Sequence, residues 1–235
     1  MSAPYFYAPT LTEQTGAFTL SEDSSKHIVQ VLRMKEGELI QLTNGSGLLA
    51  MASISAAHKK HTIVHINSIE TKPEPNLSTI AISPVKNTTR FEWFLEKAAE
   101  LGVRKIVPII CQRTEKQHLR LDRLQGILVS AMLQSQQVYL TELTEPISFN
   151  EYLQQEKSDQ KLIAHCIESE KKNLFDVMLQ PNAAMLIGPE GDFTEVEIQN
   201  AIECGFIPVS LGATRLRTET AGMVAAVMMN QHLVK

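Results

Sequence analysis

Two glycine-bearing stretches in the second half of the chain hold the residue types best suited to chemistry. "LIGPEGDF" runs from Leu186 to Phe193, and "LGATRLRTETAG" runs from Leu211 to Gly222. Each stretch follows a short apolar run and precedes a helix-like pattern, so both are expected at the carboxyl edge of one parallel sheet. Loops and helix N-termini converge at that edge. Two such loops on neighbouring strand ends favour a ligand pocket over a pair of surface turns.

The first stretch combines backbone access with a defined helix start. Gly188 and Gly191 would let the backbone approach a ligand closely, because glycine has no side chain in the way. Thr194 and Glu197 have the spacing of a capping box and predict that the next helix begins there. His165, at the end of the apolar run "KLIAHC", is expected at the same edge.

In the second stretch, Gly212 permits a turn, Thr218 is expected to cap the last helix, and Glu219 suits its first turn. The usual phosphate cradles, G-x-G-x-x-G and G-x-x-x-x-G-K-[ST], do not occur, and neither does a G-x-S-x-G nucleophile elbow. The three cysteines lie in or beside apolar runs, where thiols are usually inert. A backbone-lined pocket without a phosphate cradle suits a flat, neutral ring such as adenine.

Alternating strand and helix patterns after residue 76 would position these loops. Apolar runs such as "TIAISPV", "KIVPII", "AAMLIG" and "IPVSLG" are typical of buried parallel strands covered on both faces. Helices are predicted for "TTRFEWFLEKAAELG", with Thr89 and Glu92 as a capping box and Phe91, Leu95 and Ala98 inward. Further helices are predicted for "DRLQGILVSAMLQSQQ", "KNLFDVML", "TEVEIQNAIECG" and "ETAGMVAAVMMNQHL".

The N-terminal part has a different pattern, and the polar, proline-bearing segment "ETKPEPN" is expected to separate it from the rest. Two apolar runs flank Asn44-Gly45-Ser46-Gly47, a typical hairpin turn. One short helix, "SSKHIVQVLRM", is expected to turn Ile28, Val31 and Leu32 inward. We therefore predict a small β-barrel domain over 1–72 and an α/β domain over 77–235.

Composition sets limits on the function. The chain has 235 residues, is 43% hydrophobic and carries a net charge of −4, so its overall charge gives no sign of a nucleic-acid partner. Residues 84–137 nevertheless carry nine basic and five acidic side chains, a local charge of +4, which is where a polyanion would bind. Three widely spaced cysteines argue against a disulfide framework and favour a cytoplasmic location. No apolar run reaches the roughly 18 residues of a membrane span.

Taken together, the two stretches closely resemble the paired signatures of the RsmE-type ribosomal RNA uridine-N3 methyltransferases. These belong to the SPOUT, or trefoil-knot, class and use S-adenosylmethionine. "HIVQVLRMKEGELIQLTNGSG" is similar to the family's N-terminal PUA-like RNA-binding barrel, and "FLEKAAELGVRKIVPIICQRT" is similar to its first helix and second strand. "AMLQS" resembles its helical Gln-Ser element. The resemblance covers nearly the whole chain, in the right order.

The resemblance implies a knotted SPOUT-like α/β domain with a parallel sheet, preceded by a PUA-like barrel. It also implies S-adenosylmethionine as cofactor, 16S ribosomal RNA of the small subunit as substrate, and a homodimer. Gly222 and Ala226 on the last helix would suit either a close helix contact or plain core packing. The residues that the resemblance assigns to the cofactor are His165, Ile187, Gly188, Pro189, Glu190, Gly191, Ser210, Leu211, Gly212, Leu216, Arg217 and Thr218.

The chain departs from the family pattern at a few positions. Many relatives have Gly where Asp192 stands, Arg where Thr214 stands, and an Arg shortly after the Gln-Ser pair, where this chain has Gln136 and Gln137. Relatives often begin with an Arg before the first aromatic pair, where Pro4 stands here. These positions mostly concern RNA contact, and Arg215 is expected to substitute for the arginine missing at 214.

Methylation at uridine N3 requires loss of the imide proton and leaves negative charge on the flanking carbonyls. Arg217 is our candidate for stabilising that charge, with a structural ion pair to a nearby glutamate as the alternative. Glu190 is the candidate to accept the proton or orient the base, and Glu219 is nearly as plausible.

RNA contact is expected from a set of polar and basic residues: Arg33, Lys86, Arg90, Lys97, Arg113 and Gln134. Tyr5, Phe6 and Tyr7 fit barrel core better than base stacking. "HKKHTIVH" brings His58, His61 and His65 close in sequence, but no cysteine or carboxylate completes a zinc site, and we predict no metal.

Two other functions fit the same loops. A knotted ribose 2′-O-methyltransferase would share the cofactor pocket, and a non-catalytic RNA-binding ribosome-assembly protein would bind the cofactor without turnover. An ordinary α/β protein with two surface turns would bind no cofactor.

Overall fold

A computed structural model describes residues 3–75 and 77–230 of the chain. The chain forms two compact units: the first reaches Glu74 and adds the later segment Met132–Leu140, and the second contains the rest from Pro75 onward. The added segment belongs to the first unit because Gly47 N–H donates to the Val138 carbonyl at 2.9 Å and Leu140 N–H donates to the Gly45 carbonyl at 2.9 Å. A domain ending at residue 72 does not contain this segment.

The first unit is built on one five-stranded sheet with the order β1-β3-β4-β5-β2. Its strands are β1 (Tyr5–Tyr7), β2 (Ala17–Thr19), β3 (Leu39–Thr43), β4 (Leu48–Ala56) and β5 (Ile63–Thr71). The predicted hairpin is confirmed, since β3 and β4 pair antiparallel around Gly45 and Gly47, whose φ values are 75° and 98°. Of the first three aromatic residues, Phe6 alone is buried, and it belongs to the core that the sheet encloses.

The helix of the first unit differs from its prediction. It begins as α1 (Glu22–Lys26) and continues as a π-helical segment, His27–Leu32, that ends at Arg33 in the left-handed conformation. Ile28 is buried as expected, but Val31 is 65% exposed and Leu32 is 41% exposed. The inward face predicted from a 3.6-residue period is therefore wrong, because the wider π-helical turn rotates these two residues out of that face.

The second unit contains an eight-stranded, fully parallel sheet. Its strands are β6 (Leu77–Ile82), β7 (Lys105–Ile110), β8 (Glu142–Leu143), β9 (Ile147–Ser148), β10 (Gln160–Ala164), β11 (Lys172–Asn173), β12 (Asn182–Ile187) and β13 (Ile207–Ser210). The order is β11-β13-β10-β12-β6-β7-β8, and β9 also pairs with β7. The last strand, β13, lies between two earlier ones, an order compatible with the knotted class.

Helices cover both faces of this sheet, as predicted. They are α2 (Thr88–Glu100), α3 (Leu121–Gln134), α4 (Phe149–Gln155), α5 (Glu195–Glu203) and α6 (Thr218–Asn230). Gly222 of α6 lies against Phe94 of α2 and Ile82 of β6, where an added Cβ would be 2.6 Å and 2.9 Å from their side chains. Ala81, the neighbour of Ile82, faces the opposite core with Phe149 of α4. Gly222 therefore serves packing within the chain.

Two helix predictions need correction. Helix α2 is capped by Asn87, whose side chain accepts the Arg90 N–H, so the predicted capping box at Thr89 and Glu92 is wrong. Glu92 instead binds Arg123. The segment "KNLFDVML" is strand β11 followed by one 3-10 turn, Leu174–Asp176, because Lys172 and Asn173 pair with β13.

Helix α4 was not predicted at all. The last helix was expected to extend to Leu233, but residues 231–233 lie outside the described residues.

Candidate cofactor pocket

A cavity of ≈ 850 Å³ lies at the carboxyl edge of the parallel sheet. The loops that follow β10, β12 and β13 all contribute to it, and so the two glycine-bearing stretches do share one pocket. Every residue predicted to contact the cofactor lines it except Gly191. The neighbouring positions of β10, β12 and β13 in the sheet bring these loops together.

The loop 188–193, which we call the first loop, is held by its own turn and by the core. Asp192 N–H donates to the Pro189 carbonyl at 2.8 Å, and Asp192 has a φ of 65°. Phe193 is fully buried and packs against Phe149. A Cβ on Gly188 would lie 3.0 Å from the Phe193 ring, so only glycine fits there without displacing that ring.

The predicted capping box is confirmed at the end of the first loop. The Thr194 hydroxyl accepts the Glu197 N–H, and the Glu197 carboxylate accepts the Thr194 N–H at 2.8 Å. The same carboxylate, which is buried, also accepts the Gln112 N–H at 2.8 Å. The loop is therefore joined both to α5 and to the segment after β7.

The loop 211–217, which we call the second loop, is more open. Gly212 has a φ of 123° and no atom near its missing Cβ, while the Ser210 hydroxyl donates to the Gly212 carbonyl at 3.0 Å. Thr218 is not the N-cap that was predicted, because it is the first helical residue of α6. Its hydroxyl donates to the Gly188 carbonyl at 3.0 Å and so connects the two loops.

His165 presents unused hydrogen-bonding groups to the cavity. The residue is 7% exposed, and neither ring nitrogen has a hydrogen-bond partner among the described residues. Burial lowers the pKa of the imidazole and the Lys171 ammonium lowers it further, while the Asp192 carboxylate and the Ile167 backbone oppose both. A buried neutral imidazole with one free donor and one free acceptor is suited to a ligand that carries both.

The three candidate catalytic residues differ in their surroundings. Arg217 is exposed, lines the cavity, and forms no ion pair within the described part of the chain. Glu190 also lines the cavity and accepts the Lys86 N–H at 3.4 Å. Glu219 is buried, lies 3.7 Å from the Arg90 guanidinium, and has one oxygen without a hydrogen-bond partner. The alternative role for Arg217 was an ion pair with a nearby glutamate. In the structure Glu219 pairs with Arg90 and not with Arg217.

The four residues of the second unit that were expected to contact RNA make other contacts in the structure. Arg90 lines the cavity, while Arg113 donates to the Gly191 carbonyl at 2.7 Å and is occupied in holding the first loop. Lys86 pairs with Glu115 at 2.8 Å. Lys97 lies between Glu96 and Glu100 at 2.7 and 2.8 Å, so its positive charge is neutralised locally.

Arg33 and Gln134 belong to the first unit, and both are exposed. The second unit contains the remaining four residues of the expected RNA contact.

The other candidate reactive groups lie apart from this cavity, with one exception. Cys111 is buried, and burial raises the pKa of its thiol far above the ordinary value, whereas the exposed Cys166 lines the cavity. The rings of His58 and His61 stack at 3.8 Å. Within residues 3–75 and 77–230 no three His, Cys, Asp or Glu side chains are grouped to hold a metal, and no helix is long and apolar enough to cross a membrane.

Several residues that line the cavity were not expected to do so. Asp192 and Thr214 stand inside the quoted stretches, but their types alone gave no reason to place them in the pocket. Cys166 and Lys171 come from the loop after β10. Lys171 donates to the carbonyls of His165 and Ile167 at 3.0 and 2.8 Å, contacts that no local sequence pattern indicates.

Comparison with known proteins adds independent information. Residues 72–230 match the RNA methyltransferase domain family, and residues 20–67 match the RNA methyltransferase PUA domain. Ribosomal RNA small subunit methyltransferase E of Mesomycoplasma hyopneumoniae is 31% identical over 164 residues, which are 67% of this chain and 71% of that protein.

Solved structures agree over almost the full length. A probable rRNA-methyltransferase from Porphyromonas gingivalis is 37% identical, with a TM-score of 0.89 and coverage of 98% of this chain and 99% of that one. A ribosomal RNA small subunit methyltransferase E from Neisseria gonorrhoeae, bound to S-adenosyl methionine, is 31% identical, with a TM-score of 0.88 and coverage of 98% of both chains.

Proposed function

The chain belongs to the ribosomal RNA small subunit methyltransferase E family, and from this premise we propose that it methylates N3 of a specific uridine in 16S ribosomal RNA. The same comparisons confirm the expected family and fold class, a SPOUT-like α/β domain that follows a PUA domain in the sequence. The observation that carries the proposal is the shared cavity of the three loops, with the unpartnered ring of His165 inside it.

The residues of the cavity fit S-adenosylmethionine as cofactor. A volume of ≈ 850 Å³ is ample for a molecule of that size. Adenine and ribose carry both donors and acceptors, which the two free ring nitrogens of His165 can satisfy. Gly188 and Gly212 leave backbone accessible on opposite loops. When bound, the cofactor supplies an activated methyl group on a positively charged sulfur.

The protein's own part in the reaction is to orient the uridine and to stabilise the negative charge that develops on it. We assign to Arg217 the stabilisation of the negative charge that develops on the uridine carbonyls as the N3 proton leaves. It is suited to this role because it lines the cavity and forms no ion pair within the described residues. Glu190 is assigned to accept that proton or to orient the base, since it lines the same cavity.

Glu219 has a different environment from Glu190. Its carboxylate is buried beside Arg90, and one oxygen lacks a partner. A buried carboxylate held by an arginine is better placed to orient that arginine toward the cavity than to exchange protons with solvent. We therefore keep Glu219 as the second candidate for proton acceptance and Glu190 as the first.

RNA binding is proposed for both units. Arg33 and Gln134 would contribute from the first, and Lys86, Arg90, Lys97 and Arg113 from the second. Because phosphate binding releases counterions, RNA affinity should fall as salt rises. The pairing of Lys86 and Lys97 with glutamates predicts a shallower salt dependence than four free cations would give.

Three further properties complete the proposal. We propose that the domains extend over 1–72 and 77–235, apart from the segment Met132–Leu140, which packs with the first. We propose a homodimer acting in the cytoplasm, where a small ribosomal subunit is available as partner. Both follow from family membership and are tested by sedimentation of the purified protein and by cell fractionation.

The decisive experiment uses small ribosomal subunits from a strain that lacks this protein. The purified protein and labelled S-adenosylmethionine are added, and the modified nucleotide is located by mass spectrometry. Label on N3 of one uridine supports the proposal. Label on a ribose 2′-oxygen would instead identify a 2′-O-methyltransferase, and tight cofactor binding without transfer would identify a non-catalytic assembly protein.

The role of Arg217 is tested by Arg217→Ala. We expect the single-turnover rate at saturating RNA and cofactor to fall about 100-fold, the usual effect of removing one charge-stabilising donor. The dissociation constant for the cofactor should change much less. Arg120→Ala removes an exposed arginine outside the cavity and should leave the rate unaltered. An unchanged rate in Arg217→Ala removes the catalytic assignment.

A further inference from the structure

Asp192 is joined by hydrogen bonds to two different loops of the cavity. One carboxylate oxygen, Oδ1, accepts the N–H of the adjacent Phe193 at 2.9 Å. The other, Oδ2, accepts the N–H of Cys166 at 2.8 Å. Cys166 is 26 residues earlier in the chain and lies in the loop that follows β10. A single side chain thus connects the loop after β10 to the first loop.

The two ends of this connection differ in how firmly they are held. On one side, Phe193 is fully buried against Phe149 and Gly188, so the backbone that carries Asp192 is fixed to the core. On the other side, Cys166 is exposed and follows His165, the residue with unpartnered ring nitrogens. The bond to Cys166 N–H therefore joins the loop after β10 to the part of the pocket that is packed into the core.

The backbone of Asp192 is shaped for this contact. Its φ of 65° lies in the left-handed region, which Asp, Asn and Gly tolerate better than other residues. That conformation closes the turn with Pro189 and directs the carboxylate toward the cavity, which Asp192 lines. The conformation itself would be available to glycine, so the carboxylate adds something that the turn does not require.

We propose that Asp192 is a positioning residue that holds the loop after β10, and with it His165, in the cofactor-binding arrangement before the cofactor arrives. The inference rests on the proposed function, because it assumes that the cavity takes S-adenosylmethionine. A pre-ordered loop lowers the entropy lost on binding, so the carboxylate strengthens cofactor affinity. A bound cofactor would be held by residues of both loops, so the bond should have little further effect on the rate.

The test compares Asp192→Asn and Asp192→Gly with the wild-type protein. Both variants tolerate the left-handed conformation. The Asn side chain has a single acceptor oxygen and keeps one bond at most, and Gly keeps none. We expect the dissociation constant for S-adenosylmethionine to rise about tenfold in Asp192→Gly, the scale of one lost charge-assisted hydrogen bond, and less in Asp192→Asn.

The rate at saturating cofactor should change by less than about threefold in both variants, so the effect appears in KM and not in kcat. Asp122→Asn makes the same charge change at an exposed position on α3, outside the cavity, and should alter neither value.

A second ligand separates positioning from direct attraction. S-adenosylhomocysteine lacks the positive charge on sulfur, so loop positioning predicts the same loss of affinity for it as for S-adenosylmethionine. A loss confined to S-adenosylmethionine would show that the carboxylate acts on the ligand charge, and the positioning role would be wrong. Unchanged affinity for both ligands would also overturn it.

Hydrogen exchange provides a measurement that needs no cofactor. In the free wild-type protein the Cys166 amide should be protected, and in Asp192→Gly it should exchange faster while α5 and α6 keep their protection. Equally faster exchange throughout the second unit would mean that Asp192 only stabilises the fold, which contradicts the proposal. If the wild-type protein binds no S-adenosylmethionine, the proposed function fails, whereas the exchange experiment still decides whether the connection exists.

Discussion

The two loops that share the cavity are held in opposite ways. The first loop, 188–193, ends in the fully buried Phe193, receives the Arg113 guanidinium on the Gly191 carbonyl, and is tied through Asp192 to Cys166. The second loop, 211–217, has five exposed residues. Its side-chain hydrogen bonds are local and join Gly212 to Ser210, the residue just before the loop. Its end is connected to the first loop through Thr218.

This difference indicates that the cavity has one fixed wall and one adaptable wall. A loop whose side chains enter the core can move only if the core is disturbed, whereas a loop with exposed side chains and local bonds opens at little cost. The fixed wall is suited to bind the cofactor, a small ligand that is the same in every turnover. The adaptable wall carries Arg215 and Arg217, which are suited to respond to a second, larger substrate.

The largest expected effect comes from removing the Phe193 ring, which anchors the fixed wall in the core. Phe193→Ala should lower the free energy of unfolding by about 3–5 kcal/mol, because a fully buried aromatic ring is replaced by a cavity. Leu216→Ala, in the second loop, removes a half-buried side chain and should cost about 1 kcal/mol. Denaturant unfolding followed by circular dichroism measures both values. Equal losses in the two variants would mean that the walls are anchored alike.

A smaller effect is expected at the junction between the fixed wall and α5. Glu197→Ala removes the carboxylate that accepts the N–H groups of Thr194 and Gln112, and it should cost about 2 kcal/mol. Glu195→Ala changes an exposed acid in the same first turn of the helix and should cost only a few tenths of a kcal/mol. Thermal unfolding of the two variants side by side provides the comparison.

If Glu195→Ala proves as costly as Glu197→Ala, the effect belongs to the helix dipole and not to the anchoring of the loop.

Local sequence patterns were sufficient to predict much of the fixed wall. The capping box at Thr194 and Glu197 depends on two residues three positions apart, and the glycine at 188 precedes a helix start, so both are visible without knowledge of the fold. The alternation of apolar runs and helices was sufficient to predict a covered parallel sheet. Its carboxyl edge then located the cavity, because neighbouring parallel strands end at the same edge.

Contacts between distant segments could not be predicted in this way. The bonds from Asp192 to Cys166 and from Arg113 to Gly191 join residues that are 26 and 78 positions apart. The helix cap at Asn87 in place of Thr89 shows a second limit, since two possible cap residues two positions apart are both consistent with the pattern. The π-helical turn at His27–Leu32 changes the period itself, so the 3.6-residue rule turned Val31 and Leu32 the wrong way.

The smallest expected effect is the pH dependence of cofactor affinity at the fixed wall. His165, which lines the cavity, lies beside the fixed wall. Burial is the main reason that its pKa is below the ordinary value of 6.5, and Lys171 lowers it further against the opposing Asp192. The ring is therefore neutral at pH 7. If the neutral ring binds the cofactor, affinity should weaken as the pH falls through this lowered pKa, by less than about tenfold at pH 5.5.

The sign of the stability effect follows from the same shift. The unfolded chain, with the ordinary pKa of 6.5, takes up the proton before the folded protein does. His165 therefore contributes its full share of stability above pH 6.5, and that share decreases as the pH falls toward the folded pKa. Calorimetric titration with S-adenosylmethionine between pH 7 and 5.5 tests the binding effect. His165→Gln should flatten the profile, while His58→Gln in the first unit should preserve it, and an unchanged profile in His165→Gln would assign the pH dependence to another group.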